Sequence, residues 1–339
     1  MAWAPVAAML YVFSASAQEP GRVYRVGYLA IGRPGLVMPP IEKWTNPGSI
    51  ATRDTLHNSG FILGKNLVIE SRNAQGDQSR LAAEVESLVA ANVDVIITEG
   101  TPPTVAALKA TKPVPVVFFG VGDPVEKGIV ASLARPGGNA TGTAVLISWG
   151  KLWQYLHEIS PATRRVAVVS NEQNSMALSP EWRAPYRAFF DKRMIDGAAA
   201  VGLESIRTPV NSLDEASSKL AAFSVEGNAG ILISTDAIMF GWRAAIMEMA
   251  LKNRLPSACP QDRGWAEAGC LVTYTENYSL AVQGTGTRVV KILRGTKPAD
   301  IPVEQPTASF KLIVNARTAK ALDLTVPPAL LAAADEVID

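Results

Sequence analysis

The chain has 339 residues, long for one domain and comfortable for two, and its 48% hydrophobic content can fill a core in each. Its 32 basic and 31 acidic residues nearly cancel, which excludes the electrostatic footprint of a nucleic-acid binder. A small molecule or another protein is the expected partner.

Residues 1–17, MAWAPVAAMLYVFSASA, carry no charge and end on Ser14-Ala15-Ser16-Ala17, a small-x-small pattern that suits signal-peptidase cleavage before Gln18. The apolar part is shorter than the roughly 20 residues that a membrane span needs. Together these features predict an export signal, although no Lys or Arg precedes the apolar stretch. No Cys follows the cleavage pattern, which argues against a lipid anchor. No later apolar run is long enough to cross a bilayer, so the mature protein is expected to be soluble in an exported compartment. In that compartment Cys259 and Cys270, eleven residues apart, can be oxidised; they either close a small loop or remain two buried thiols.

Downstream, helix and strand alternate. Residues 23–30 (VYRVGYLA) form a predicted strand, 50–58 a helix, 66–71 (NLVIES) a strand, 79–90 an amphipathic helix and 93–98 a strand. The rhythm continues with a helix at 104–110, a strand at 114–119 and a short helix at 125–133, before the turn-rich ARPGGNATGT closes the first unit. It then restarts: helix 151–159, strand 165–170, helix 185–195, strand 199–206, helix 213–223, strand 230–234, helix 242–252 and a short strand at 256–259. A strand at 271–275 (LVTYT), a helix at 282–293, a proline-rich link through Pro298, Pro302 and Pro306, a strand at 310–315 and a helix at 316–322 finish the chain. Strands that alternate with helices imply parallel sheets with right-handed crossovers, here in two tandem α/β units.

In such sheets ligands gather outside the carboxyl ends of the strands, where helix N-termini offer backbone N–H groups. The corner Glu99-Gly100-Thr101-Pro102-Pro103 sits at such an end. Gly100 permits the turn, Thr101 can cap with its hydroxyl, and proline in the first helical turn costs no hydrogen bond. A simple cap would account for this corner by itself. Three companions, GVGDPV (120–125), SNEQN (170–174) and STDAI (234–238), place polar groups on the same rim.

GTPPTVAAL, PVVFFGVGDPVEKGIVASLARPGGNATG, LVTY and the final VVKILRGTKPADIPVEQPTASFKLIVNARTAKALDLTVPPALLAAADEVI together resemble the ABC-transporter substrate-binding proteins that include tryptophan- and tyrosine-binding members. The likeness covers nearly the whole mature chain. It implies a type I periplasmic binding protein: two doubly wound Rossmann-like lobes joined by three crossing segments, closing on a ligand held between them. The crossings are expected near 141–144, 273–275 and 306–310, which assigns 22–143 plus 274–306 to an N-terminal lobe and 144–273 plus 307–339 to a C-terminal lobe.

By position, the resemblance puts Gly100, Thr101 and Pro102 on one jaw with Gly122 and Asp123, facing Asn171 and Asp236, with Tyr274 and Glu276 near a hinge. For a zwitterionic ligand, Thr101 and the N–H groups of its helix would take a carboxylate, Asp123 or Asp236 would pair with an ammonium, and Tyr274 would supply an apolar wall. Each also has a local explanation: Asp123 and Asp236 can cap helices and Asn171 can close a turn. Relatives commonly carry Tyr-Gly-Pro or Tyr-Gly-Thr where this chain has Tyr274-Thr275-Glu276, so a negative charge enters near the hinge and leaves the ligand class open. Arg33, Met38 and Trp44 lie in a long first loop; Arg33 can clamp a second carboxylate and Trp44 can stack on a ring, or both can serve the surface and lobe packing. Trp149, Trp153, Met247 and Met249 read as core filling.

Enzymatic classes lack their motifs. His57 and His157 stand apart with no carboxylate–cysteine cluster at metal spacing, and neither a G-x-S-x-G elbow nor a G-x-x-x-x-G-K-[ST] loop occurs. The glycines of QGTGTRVV (283–290) read as loosening a helix start. The expectation is a monomeric binding protein with no metal, cofactor or catalysis, presenting an amino acid or aromatic carboxylate to an inner-membrane ABC permease. A sensor of the same fold, serving a kinase or chemoreceptor, is the alternative.

Overall fold

A computed structural model describes residues 21–32, 43, 47–110, 112–171, 180–235, 237–260, 263–276, 278–305 and 310–339. The elements in chain order are β1 (Tyr24–Ala30), α1 (Pro47–Asn58), β2 (Leu67–Asn73), α2 (Leu81–Ala90), β3 (Val95–Glu99), α3 (Thr101–Leu108), β4 (Val116–Gly122) and β5 (Ala140–Val145). They continue as α4 (Trp149–Ile159), β6 (Arg165–Ser170), α5 (Pro180–Ala199), β7 (Glu204–Pro209), α6 (Leu213–Ser224), β8 (Ala229–Ile233), α7 (Ala237–Lys252) and β9 (Ser257–Cys259). The chain ends with α8 (Arg263–Glu267), β10 (Val272–Glu276), α9 (Tyr278–Leu293), β11 (Phe310–Asn315), α10 (Ala316–Ala321), α11 (Pro328–Ala333) and β12 (Glu336–Ile338).

These strands make two sheets. The first runs β2-β1-β3-β4-β5 and is parallel throughout. The second runs β12-β11-β10-β9-β8-β6-β7 and is parallel except where β10 meets β11. Both faces of each sheet are covered, as parallel sheets require, so β8 (AGILI) reads as an unbroken apolar run and β3 (VIITE) is buried as far as Thr98. Leu81, Val85 and Leu88 of α2, spaced along one helix face, pack with Val105 and Ala107 of α3 on one side of the first sheet. Leu56 of α1 and Val282, Val289 and Leu293 of α9 cover its other side. On the second sheet, α4 with Met194 and Ala198 of α5 forms one layer, and α6, α7 and Trp265 of α8 form the other.

Helix α9 follows a strand of the second sheet yet packs on the first. The chain therefore passes between the sheets three times: between Val145 and Trp149, between Glu276 and Tyr278, and between Gln305 and Phe310. Cys259, at the end of β9, is bonded to Cys270, just before β10, with Cα atoms 6.5 Å apart and both side chains buried.

Two expected elements do not form as read. Residues 125–133 make turns instead of a helix, because Gly128 takes a left-handed φ of 67° after a single turn of hydrogen bonds to the Asp123 and Pro124 carbonyls. The strand expected from 199 starts only at Glu204, because α5 continues through Ala199 and turns off at Gly202, φ 73°. Strand β5 went unread among its small residues. It pairs along β4 with Gly142 beside Phe118, where a Cβ would lie 2.0 Å from the Phe118 carbonyl oxygen. The first loop with Arg33, Met38 and Trp44, and the proposed leader at 1–17, lie outside the described residues.

Candidate functional site

The corner after β3 is held by threonines, and not by the one expected. Gly100 is the N-cap at φ 79°, and its N–H reaches the Phe119 carbonyl at 2.9 Å. Thr104 donates from Oγ1 to the Gly100 carbonyl at 2.6 Å and shares a 2.8 Å hydrogen bond with the Thr98 hydroxyl. Helix α3 thus begins at Thr101 rather than at 104, and Thr101 is its first residue instead of its cap. The buried Thr101 hydroxyl has no hydrogen-bond partner among the described residues. Pro102 and Pro103 follow, so the next two positions carry no N–H, and the dipole of this short helix is offered chiefly through the backbone and hydroxyl of Thr101. Glu99 lies on the opposite side of its strand, where the Tyr28 hydroxyl donates to Oε2 at 2.7 Å.

After β4, Gly122 is buried and its carbonyl accepts from the Lys127 ammonium at 2.6 Å. Asp123 takes a left-handed φ of 50° and pairs through Oδ1 with Nη1 of Arg193, on α5, at 2.8 Å. Asp123 is therefore not an idle carboxylate waiting for an ammonium, because α5 of the second layer system already supplies its cation. Lys127 also lies 4.8 Å from the centre of the Tyr186 ring. Burial pulls its pKa down to about 8, against the pull of Asp123 and Glu126 in the other direction. Burial likewise pushes the Tyr186 hydroxyl well above the ordinary phenol range.

Asn171 is buried after β6, and its amide donates to the Val210 carbonyl at 3.0 Å, a turn-closing bond to the next strand exit. Tyr274 stacks on Phe310 at 5.0 Å and meets Tyr155 edge-on at 5.4 Å, forming an aromatic wall against α4. Glu276 ends β10, is 3% exposed, and accepts the Leu146 N–H through Oε2 at 2.8 Å. Asp236 lies outside the described residues.

A cavity of about 520 Å³ opens between the two layer systems, bounded by Asp123, Glu126, Leu146, Phe189, Arg193 and Gln305 among others. Of the expected site residues it touches Asp123 alone; Thr101, Asn171 and Tyr274 do not line it. Arg193, Lys127 and Tyr186 were not singled out by the sequence, where 185–195 reads only as a helix and 125–133 as another. Among the described residues no group of His, Cys, Asp or Glu is placed to hold a metal, and no helix is long and apolar enough to cross a membrane.

Two largely parallel sheets with helices on both faces, linked by three passages, define a two-lobed binding-protein architecture of the type I periplasmic kind, and solved structures share it. One is an ABC domain from Streptococcus pneumonia in complex with L-Trp, at 22% identity and TM-score 0.78, covering 93% of this chain and all of that one. Another is a conserved domain protein of Vibrio cholerae, at 24% identity and TM-score 0.77 over the same shares. A curated relative, the tyrosine-binding protein of Clostridioides difficile, is 27% identical over 272 residues, 79% of this chain and 74% of that protein. The family model for ABC transporter substrate binding proteins matches residues 50–338, and the chain belongs to that family.

Proposed function

We propose that this protein is the exported, periplasmic solute-binding component of an ABC importer, capturing an aromatic amino acid or a related aromatic carboxylate between its lobes. The single observation that carries the proposal is the pair of largely parallel sheets linked by three passages in a chain of the substrate-binding family, since that geometry lets contacts to both lobes stabilise a shut form. The ligand class rests on the relatives, one tyrosine-binding and one in complex with L-Trp. Strands β5 and β10 stay whole within their sheets, so we divide the lobes just past them: 22–145 with 278–305, and 149–276 with 310–339. Thr101 would meet the ligand carboxylate, and Tyr274 with Phe310 would provide an apolar wall. With Asp123 engaged by Arg193, the ammonium falls to Asp236. An ABC permease would receive the ligand.

Thermal unfolding in the presence of L-tryptophan, L-tyrosine and a panel of non-aromatic amino acids tests this. A ligand present at 100 times its Kd stabilises the folded state by about 2.7 kcal/mol. An aromatic amino acid should raise the melting temperature and the non-aromatic panel should not; a rise with none of them would overturn the ligand class.

A further inference from the structure

The three passages between the sheets are stitched together by polar contacts, and one of these contacts is incomplete. Glu304, before the third passage, exchanges backbone hydrogen bonds with Gly142 and Ala144 of β5, while its carboxylate meets the buried Arg288 of α9 at 2.9 Å. Glu276, at the second passage, reaches the first through the Leu146 N–H. Its other oxygen, Oε1, is buried and has no hydrogen-bond partner among the described residues. A carboxylate there holds one donor where it would accept several.

We propose that Glu276 is a positioning residue for lobe closure: its carboxyl group pins the end of β10 to the first passage and takes up a proton as the hinge shuts around it.

Among the described residues the surroundings supply no compensating cation. In the first passage Leu146, Ile147 and Ser148 are uncharged. Across β11, Lys311 stands opposite Thr275 but gives its ammonium to Glu336 at 2.7 Å. Before the third passage, the Arg288 guanidinium is paired through Nη2 with the Glu304 carboxylate at 2.9 Å. Tyr274 and Tyr155 on the neighbouring face remain neutral, their hydroxyls also raised by burial. Burial consequently lifts the Glu276 pKa above its ordinary 4.5, opposed only by the Leu146 N–H.

The direction of the coupling follows. When the hinge opens and water reaches Oε1, the group returns towards its ordinary value; when it shuts, the value rises. The shut form therefore binds the extra proton, and it gains on the open form as pH falls towards 4.5 and loses as pH rises past the raised value.

The inference rests on the two-lobed closing reading above, but its test uses no ligand. Small-angle scattering of the ligand-free protein and of Glu276→Gln is followed from about pH 4.5 to about pH 8, alongside carbon NMR of the Glu276 carboxyl in the unsubstituted protein. Gln keeps the acceptor for Leu146 and cannot ionise. The unsubstituted protein is expected to expand with rising pH while Glu276→Gln stays compact, with Glu276→Ala expanded throughout. Identical pH responses in the protein and its Gln variant, or a carboxyl titrating at or below 4.5, would overturn the proposal. Should the Gln variant fail to fold, the NMR titration decides alone. A pH-driven hinge in a protein that ignores aromatic amino acids would sink the ligand assignment only; ligand binding with a pH-silent hinge would sink this inference only.

Discussion

Thr101 and Lys127 show how two residues a strand apart serve the corners in opposite ways. Thr104 has taken over the work of holding the turn, which leaves the Thr101 hydroxyl without an internal partner among the described residues, and the two prolines beside it remove competing N–H donors. Thr101→Ala should then weaken an aromatic amino acid's binding by about 1.5–3 kcal/mol, the worth of a hydrogen bond to a charged group, without lowering the melting temperature of the ligand-free protein. Calorimetry that found unchanged affinity would remove the carboxylate from this corner. Lys127 is committed inward, with its ammonium on the Gly122 carbonyl and its pKa drawn down to about 8 by burial. Between about 8 and the ordinary 10.5, the unfolded chain holds a proton that the folded protein has released, so stability rises with pH across that window. Lys127→Met keeps the apolar stem and removes the proton. The stability of the unsubstituted protein relative to this variant should climb with a slope approaching about 1.4 kcal/mol per pH unit, measured by denaturant unfolding at a series of pH values. A constant difference would mean that the amine stays charged in the fold.

Helix α9 carries the same lesson at the level of elements. Its glycines look in sequence like a loosened helix start, but a Cβ on Gly286 would lie 2.9 Å from the Thr52 carbonyl oxygen and 2.9 Å from the Thr55 Cβ, both on α1. The glycine is the contact surface of a close helix pair. Gly286→Ala should therefore destabilise by roughly 1–3 kcal/mol through forced separation, in spite of alanine's better helix propensity. Gly241 sits inside α7 with nothing within 4 Å of its would-be Cβ, and Gly241→Ala should stabilise by about 0.5–1 kcal/mol. Thermal melts of the two variants should move in opposite directions, and a shared direction would refute the packing argument. The contrast also marks what could be read without coordinates. Elements with a strong period or β-branched run, such as α2, β6 and β8, were legible because their own residues specify them. Strand β5 and the turns at 125–133 were not, because what decides them is the Phe118 backbone next door and one left-handed glycine. The strand-exit corners of the candidate site were visible for the same local reason, whereas the partner of Asp123 lies seventy residues on, at a distance that no pattern announces.

At the scale of the whole molecule, α5 belongs to both halves. Its far end is fixed to α4, with Met194 and Ala198 in that core and Gly197 lying against the Trp153 ring, so close that a Cβ there would collide with it. Its nearer turns lean on the other half, where Tyr186 packs against the apolar layer of the first sheet and Arg193 pairs with Asp123. A helix rooted in one lobe and touching the other holds the two together in the arrangement seen here. The pair's side chains are 33% and 20% exposed, so its net contribution is small, at most about 1 kcal/mol. A contribution of that size to the shut form matters little for unfolding but shifts an open–shut equilibrium by about five-fold. Arg193→Ala should consequently weaken the apparent affinity for whichever aromatic amino acid raises the melting temperature by up to about five-fold. It should also enlarge the ligand-free radius of gyration, with little change in denaturant midpoint. Calorimetry and scattering on the same preparations decide it: unaltered affinity and radius would show that the strut is held by Tyr186 and its apolar contacts alone, and that the Asp123–Arg193 pair is a bystander to closure.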